Sequence, residues 1–231
     1  MNSYTQLINR HKGENAFIFG AGPSLWEAMQ HRFFKEIPKY GITMAVNSAV
    51  MAVPNFDYWV SNDVLCRKWS WWKDVVSGKG IKVVRNSWEK YKDELKDFLF
   101  YNPRPTPEDV IQPEDMGLAY CSSIPTSIDL AIQMGCKQIF LLGVDQNSHE
   151  GKHHFWQFMS KDKQPVCNPN VQDSWGRQRK VFDITLQAFK ALNGFAFYKN
   201  VNIYNCSDIS TVDIFNKIEL SEIGENCDKY R

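Results

Sequence analysis

Short apolar runs alternate with stretches of helical spacing along most of this chain, and this alternation limits the folds that it can adopt. The apolar runs that predict strands occupy residues 16–19, 42–46, 56–60, 81–84, 138–142 and 201–204. Apolar residues at helical spacing lie between them, at 25–33, 88–98, 126–134 and 182–192. Strands that alternate with helices form a mostly parallel sheet with helices on both faces. The sequence therefore predicts an α/β, Rossmann-like fold.

Two stretches interrupt this rhythm. The first, at about 146–175, is rich in His, Lys, Asn and Gln, and loops of that length in compact domains are usually functional. Because it follows a predicted strand, we expect it to begin at the carboxyl edge of the sheet and to form a lid there. The second, at 102–117, contains four prolines and predicts a surface loop. The 231 residues fit a single α/β domain, 1–231, that carries this lid segment.

Charge and hydropathy exclude several classes of protein. The 27 Lys and Arg residues nearly balance the 26 Asp and Glu residues, so a protein that grips nucleic acid through its phosphates is not expected. No apolar stretch approaches the roughly 20 residues of a membrane-spanning helix, and the start of the chain lacks an apolar signal region. The six cysteines contain no C-x-x-C pair, which predicts reduced thiols in a cytoplasmic protein without a zinc site.

The sharpest local motif is IFGAGPSLWEA at 18–28, where an apolar run ends in a glycine-rich turn before a helix. Two glycines allow a ligand to approach the backbone closely, and a helix N-terminus offers N–H groups to an anion. The motif is neither G-x-G-x-x-G nor a P-loop. We predict a nucleotide phosphate near Gly22 and Ser24, the alternative being an ordinary turn with no ligand. The residues of this turn that would meet the ligand are Gly20, Ala21, Gly22, Pro23 and Ser24.

Polar residues follow three other predicted strands, and the carboxyl ends of parallel strands meet at one edge of a sheet. They are Asn47, Ser61, Asn62, Asp63, Gly143 and Asp145, and Ser122 and Ser123 precede a helix that approaches the same edge. Amides and hydroxyls suit the ribose and base of a nucleotide, although each can equally cap a helix or a turn. A Mg²⁺ site usually draws on more carboxylates than Asp63 alone. No metal site is therefore predicted.

Three of the five histidines, His149, His153 and His154, fall within six positions of the predicted lid. Adjacent rings point in different directions, and no carboxylate is spaced to complete a metal site. One of His153 and His154 is therefore a candidate general base or phosphate contact, the alternative being exposed loop histidines. We favour His154, because Phe155 and Trp156 can anchor that end of the lid in apolar surroundings.

Taken in order, these motifs resemble glycosyltransferase family 42, the bacterial lipooligosaccharide sialyltransferases, and the wider MptE-like group. The resemblance rests on GAGPSL at 20–25, the strand-end asparagine at 47, SND at 61–63 and SSIPTSIDLAIQMGCKQIFLLGVD at 122–145. It implies a sialyltransferase-like fold, a CMP-sugar donor, no metal or other cofactor, and a lid histidine, His154 or His153, as the base. The donor contacts that it implies are Gly20, Ala21, Gly22, Pro23, Ser24, Asn47, Asn62 and Ser123.

The residues and the resemblance together favour a metal-independent glycosyltransferase that moves a sugar from a nucleotide-sugar donor to a glycan or another hydroxyl acceptor. Two other functions remain open. One is an MptE-like kinase or pyrophosphokinase, which needs Mg²⁺ and for which SND supplies one carboxylate. The other is a nucleotide-binding protein without catalysis. No nucleic-acid partner and no transmembrane segment are predicted, and the donor sugar, the acceptor and a homo-oligomer are left open.

Overall fold

The computed structural model describes residues 3–104, 117–119, 121–167 and 178–223, with the side chains of 178–182 excepted. The strands are β1 (Asn15–Phe19), β2 (Ile42–Val46), β3 (Tyr58–Ser61), β4 (Ile81–Arg85), β5 (Phe98–Tyr101), β6 (Gln138–Leu142), β7 (Asn202–Asn205) and β8 (Asn216–Lys217). The α-helices are α1 (Ser24–Gln30), α2 (Trp72–Ser77), α3 (Ser123–Gln133) and α4 (Gln178–Tyr198). Short 3-10 helices span Tyr4–Leu7, Arg32–Lys35, Ile37–Lys39, Asn47–Met51, Val64–Lys68, Asn86–Tyr91, Phe155–Phe158 and Lys161–Lys163.

The strands form one sheet in the order β5-β4-β3-β2-β1-β6-β7-β8, and every neighbouring pair is parallel. The chain builds the sheet outward from β1 to β5, then returns to the other side of β1 and continues from β6 to β8. The predicted α/β class with a parallel, Rossmann-like sheet is confirmed. All eight strands consequently end at one edge, the carboxyl edge.

Side chains of each strand alternate between the two faces of the sheet, and both faces are covered by helices. Phe17 of β1 belongs to an apolar cluster that includes Leu25 of α1 and residues of α2. Its neighbour Ile18 belongs to a second cluster, with Ile128 of α3 and residues of α4. Because both faces are buried, the central strands are apolar at nearly every position, as in other parallel sheets.

The region 88–98, which the sequence predicts as a helix, is different in the structure. A 3-10 helix, Asn86–Tyr91, is followed by the strand Phe98–Tyr101, which pairs with β4. Trp88 and Leu95 are buried as their spacing implies, but Phe98 is the first of four consecutive large apolar residues. Such a run favours a buried strand, and its pairing with β4 decides the outcome.

Other boundaries move by a few residues. The helix expected over 25–33 ends at Gln30, because His31 is extended and its Nδ1 accepts the backbone N–H of Phe33 at 3.3 Å, which starts a separate 3-10 helix. The helix expected over 126–134 begins earlier, at Ser123, and is followed by Gly135 in the left-handed conformation, φ +83°. Strand β6 coincides with its predicted bounds.

Parts of both predicted loops lie outside the described residues. These parts are 105–116 of the proline-rich stretch and 168–175 of the lid segment. Among the described helices, none is both long and apolar enough to cross a membrane.

The five described cysteines form no disulfide with one another, and Cys66 and Cys136 are buried. Burial raises the pKa of the Cys136 thiol to about 12 and also raises the pKa of Cys66.

Since the thiolate is the reactive form, we expect neither Cys66 nor Cys136 to react with a thiol reagent at pH 7.5 in the folded protein. Cys167 and Cys206, which are half-buried, should react. Mass spectrometry after brief iodoacetamide treatment, with urea-unfolded protein as the control, measures this; rapid labelling of Cys136 in the folded protein would contradict it.

Candidate functional site

The carboxyl edge between β1 and β6 is where this fold class binds ligands, because the order of strands reverses there. The turn after β1 carries Gly20 to Gly22, and the turn after β6 carries Gly143 to Asp145. The predicted ligand residues of the two turns are therefore brought together, although they are more than one hundred positions apart in the chain. The two turns lie too close together to leave a crevice for a ligand between them.

The two turns contact one another directly through their backbones. Gly20 N–H donates to Leu142 O at 2.7 Å, and Gly22 N–H donates to Gly143 O at 2.8 Å. A Cβ atom on Gly20 would lie 2.3 Å from Gly143 O, and one on Gly22 would lie 2.4 Å from Asp145 Oδ2. Gly143 itself has φ +69°. The sequence predicts the close approach of a ligand to these glycines; in the structure, the atoms that approach them belong to the turn after β6.

The carboxylate of Asp145 occupies the N-terminus of α1. It accepts the Ser24 backbone N–H at 2.8 Å, the Ser24 hydroxyl at 2.6 Å and the Ser207 hydroxyl at 2.7 Å. Asp145 is 2% exposed, so these donors replace water around its charge. A negative group at a helix N-terminus is favourable, and here the protein supplies it.

This arrangement argues against the predicted phosphate contact at Ser24. Both hydrogen-bonding groups of Ser24 are directed at Asp145, and a phosphate beside them would meet a buried negative charge. Ser207 was not among the sequence-based candidates. It lies two residues beyond β7, so its position after a predicted strand is the signal that could have found it.

A second polar cluster joins the ends of β2 and β3 to the start of α3. The Ser123 hydroxyl accepts the Asn62 backbone N–H at 2.9 Å and donates to Asn47 Oδ1 at 3.4 Å. Asn62 Nδ2 donates to Thr126 Oγ1 at 3.0 Å, and the Tyr101 hydroxyl donates to Asn62 Oδ1. Burial raises the pKa of Tyr101, which keeps that donor protonated. We call Asn47, Asn62, Tyr101, Ser123 and Thr126 the edge cluster.

Asn47 and Asn62 differ in what they can offer a ligand. The side chain of Asn62 is held on both sides by Thr126 and Tyr101. Asn47 is half-exposed and left-handed, φ +52°, and its backbone oxygen accepts Trp59 Nε1–H at 3.0 Å. Its Oδ1 accepts from Ser123 and, at 3.7 Å, from Cys66, whereas its Nδ2 makes no hydrogen bond to the described residues. Asn47 is therefore the better ligand contact.

The remaining predicted residues at this edge have local partners. Ser61 is fully buried and accepts the Asp63 backbone N–H at 3.1 Å. Asp63 is exposed, and its Oδ1 accepts the Leu65 N–H at 2.9 Å, which caps the 3-10 helix that follows. Ser122, at the N-terminus of α3, makes no side-chain capping hydrogen bond within the described residues and accepts from Thr185 Oγ1 at 3.3 Å. Among those residues, no three His, Cys, Asp or Glu side chains are grouped to hold a metal ion.

The described part of the lid segment, 146–167, lies across the carboxyl edge. Phe155 is buried, and its N–H donates to Ala21 O at 3.1 Å in the turn after β1. Trp156 packs on Trp69 with ring centroids 6.0 Å apart, and Ser70 N–H donates to Val166 O at 2.9 Å. The segment is therefore attached both to the turn after β1 and to the chain that follows β3, and Asn47 of the edge cluster, which follows β2, lies between these attachments in sheet order.

The two lid histidines immediately precede the residue that contacts Ala21. His154 is the N-cap residue of the 3-10 helix Phe155–Phe158. Its carbonyl oxygen accepts the Gln157 N–H at 3.1 Å, the Gln157 side chain accepts the His154 N–H at 2.8 Å, and the capping-box arrangement brings the His154 ring to the Gln157 N–H. The same ring stacks on Trp156 with centroids 5.2 Å apart. The backbone N–H of His153 also donates to Gln157 Oε1, at 2.6 Å. The contacts of the His154 ring thus help to order the lid.

A cavity of about 320 Å³ lies on the far side of the Asp145 carboxylate, and it is acidic. Its lining includes Ser24, Ser207, Glu27, Asp208 and Glu219. Three carboxylates repel a phosphate, so this cavity does not suit an anionic ligand.

The fold of this chain resembles the folds of two known glycosyltransferases. It resembles the Maf glycosyltransferase of Magnetospirillum magneticum AMB-1 with a TM-score of 0.56 and 13% identity, over 99% of this chain and 40% of that one. The chain therefore spans less than half of that protein. It resembles the sialyltransferase CstII of Campylobacter jejuni, solved in complex with cytidine-5'-monophosphate, with a TM-score of 0.51 and 12% identity over 90% of this chain and 85% of that one.

A further structure of the Campylobacter jejuni sialyltransferase, in complex with CMP-3FNeuAc, matches with a TM-score of 0.51 and 13% identity over 89% of this chain. Searches with protein-family models and with curated protein sequences find no match to this chain. At these identities the likeness establishes a shared fold, and the chemistry has to be argued from the residues of the site.

Proposed function

We propose that this protein is a metal-independent glycosyltransferase of the sialyltransferase-like kind, which takes a nucleotide-sugar donor such as a CMP-sugar. The observation that carries the proposal is the edge cluster, with the half-exposed Asn47, next to a lid segment whose histidines adjoin the turn after β1. The shared fold with structures that hold CMP and CMP-3FNeuAc supports the choice of donor.

The donor lies over the ends of β2 and β3 in this proposal. Asn47 Nδ2 donates to the nucleoside, and Asn62 positions Asn47 and Ser123 through the edge cluster. The phosphate takes the N-terminus of α3, at Ser122 and Ser123, because unpaired N–H groups and the helix dipole favour an anion there. This position is away from the Asp145 carboxylate, which repels a phosphate at the turn after β1.

Sugar transfer then needs a base and a stabilised leaving group. A lid histidine takes the proton of the acceptor hydroxyl, the acceptor oxygen bonds to the anomeric carbon, and the bond from that carbon to the phosphate oxygen breaks. The nucleotide leaves with the bonding electron pair. Backbone N–H groups and hydroxyls at the start of α3 stabilise its charge in place of a metal.

We assign the base to His153 and not to His154, which the sequence favoured. A ring nitrogen that accepts the Gln157 N–H has its lone pair occupied, and the stack on Trp156 holds the His154 ring in that orientation. Adjacent side chains in an extended segment point to opposite sides. His154 therefore orders the lid, and His153 is the residue of the pair that supplies the proton acceptor.

Nucleotide titration separates this function from the alternatives. Binding of CMP, UDP, GDP and ATP is measured by calorimetry with and without Mg²⁺, followed by assays of donor hydrolysis and transfer with EDTA present. A glycosyltransferase of this kind binds CMP more tightly than ATP and turns over its donor in EDTA. A strict Mg²⁺ requirement with ATP as the tightest ligand would indicate a kinase or pyrophosphokinase. Nucleotide binding without turnover of any donor would indicate a binding protein.

Replacement of Asn47 by glycine tests the nucleoside contact. Glycine adopts φ +52° without strain, so Asn47→Gly removes the amide while leaving the backbone as it is. Loss of a neutral hydrogen bond of about 0.5–1.5 kcal/mol weakens nucleotide binding about two- to tenfold. Asn86→Ala, at the end of β4, is the matched control and should bind as the parent does. Equal affinity of Asn47→Gly and the parent for every nucleotide would move the donor elsewhere.

A further inference from the structure

A second cavity, of about 530 Å³, lies at the opposite, amino-terminal edge of the sheet. Its walls are the residues just before β1, β6 and β7, together with the C-terminal ends of α3 and α4. Its volume is in the range of small-molecule sites. Arg104, which follows β5, completes the lining.

This amino-edge cavity is basic. Lys12, Lys137, Lys199 and Arg104 line it, and no Asp or Glu is among its described lining residues. The C-terminal ends of α3 and α4 offset part of this charge, by about half an elementary charge each. Arg104 is paired with a carboxylate behind the wall, and the lysines outweigh the two half charges of the helix ends, so the cavity keeps a net positive charge.

Arg104 has hydrogen-bonding capacity that the described residues do not use. It is 8% exposed, and one of its terminal nitrogens, Nη2, pairs with Asp129 Oδ2. Its Nε and Nη1 are buried and have no hydrogen-bond partner among the described residues. Asp129 does not contact them; its Oδ2 also accepts from Ala119 N–H at 2.7 Å, and its Oδ1 accepts from Gln133 Nε2 at 3.0 Å. A buried guanidinium with two unsatisfied nitrogens is costly unless a ligand or solvent meets them.

The cavity also has an apolar wall. Ile8, Ile132, Phe195 and Val201 line it beside the basic residues. A planar guanidinium with spare donors suits the oxygens of a phosphate, and the lysines add charge without fixed geometry. A ligand that suits both the basic and the apolar wall carries two or more negative charges on a small organic molecule.

We propose that the amino-edge cavity binds a phosphorylated small molecule of at least two negative charges, at a site separate from the nucleotide-sugar site. Lys12 and Lys199 neutralise most of the phosphate charge, and the Arg104 side chain turns toward the cavity so that its buried, unpaired nitrogens donate to the phosphate. The lysines of the cavity lie at the opposite end of the strands from the edge cluster, and the two sites share no residue, so the two ligands do not compete for the same residues.

Calorimetry with inorganic pyrophosphate at low salt tests the site. The parent should bind it, and the double variant Lys12→Gln, Lys199→Gln should bind at least tenfold more weakly. The double variant Lys35→Gln, Lys73→Gln removes two exposed lysines elsewhere and is the matched control; it should bind within about twofold of the parent. Asn47→Gly should also bind normally, because it alters the other edge of the sheet.

A variant at Arg104 separates charge from geometry. Arg104→Lys keeps a cation beside Asp129 but lacks the two unpaired nitrogens. Pyrophosphate binding should therefore fall, although the ion pair with Asp129 persists. Thermal unfolding shows whether the variant is folded. If Arg104→Lys does not fold, the comparison of the two double lysine variants tests the proposal. No binding of pyrophosphate by the parent at millimolar concentration overturns the proposal. So does binding that survives in the Lys12, Lys199 variant and is lost in Asn47→Gly.

Discussion

Replacement of Gly22 by valine is expected to destabilise the fold strongly. A Cβ atom at this position would lie 2.4 Å from Asp145 Oδ2 and 2.7 Å from Gly143 O, closer than van der Waals contact allows. The two turns must separate, and the buried Asp145 carboxylate then loses donors that replace its water shell. Overpacking and lost hydrogen bonds to a buried charge together cost about 3 kcal/mol or more. Urea unfolding monitored by tryptophan fluorescence measures the loss.

Gly194→Ala provides the matched control for Gly22→Val. Gly194 lies in α4, and no heavy atom stands within 4 Å of the position that its Cβ would take. Alanine has a higher helix propensity than glycine by about 0.8–1.0 kcal/mol, so this variant should be as stable as the parent or more stable. A Gly22→Val protein with the parent's stability and no nucleotide affinity would instead support the sequence-based interpretation, in which the turn exists for a ligand.

Removal of the His153 side chain should have the largest effect on catalysis. If His153 takes the proton of the acceptor hydroxyl, His153→Ala lowers kcat by about 10²–10⁴-fold with little change in donor affinity, since the base acts in the chemical step. Steady-state rates of sugar transfer, together with calorimetric binding of the donor nucleotide, measure the two quantities separately. A loss of affinity equal to the loss in kcat/KM would indicate a binding role.

His154→Asn is the control that separates the base from the helix cap. Asparagine caps helix N-termini well, so this variant keeps the hydrogen bond to the Gln157 N–H and removes only the imidazole. We expect it to retain activity within about tenfold, the order of one neutral hydrogen bond. The reverse result, a large loss in His154→Asn and a small one in His153→Ala, would return the base to His154. Full activity in the double alanine variant would exclude a histidine base.

The parallel sheet was predictable because its signals are local. An apolar run of four or five residues predicts a buried strand without knowledge of its position in the fold. The helical spacing of 126–134 and 182–192 likewise predicts the helices that cover the sheet. Since parallel strands end at one edge, the same pattern also placed Asn47, Asn62 and Ser123 near one another. The strand Phe98–Tyr101 was missed because its register with β4 depends on pairing and not on local spacing.

The roles of the residues at that edge were decided by contacts between distant parts of the chain. Ser24 lies 121 positions from the carboxylate that takes up its donors, and Ser123 lies 76 positions from Asn47. No local pattern reports whether a helix N-terminus faces a ligand or a carboxylate of the same protein. Strand and helix patterns are short-range, so the class of fold and the edge at which polar residues collect could be predicted from them. The tertiary structure alone decided that Asp145 fills the glycine turn, that His154 caps a helix, and that Arg104 keeps two donors unpaired, because each depends on which buried groups meet.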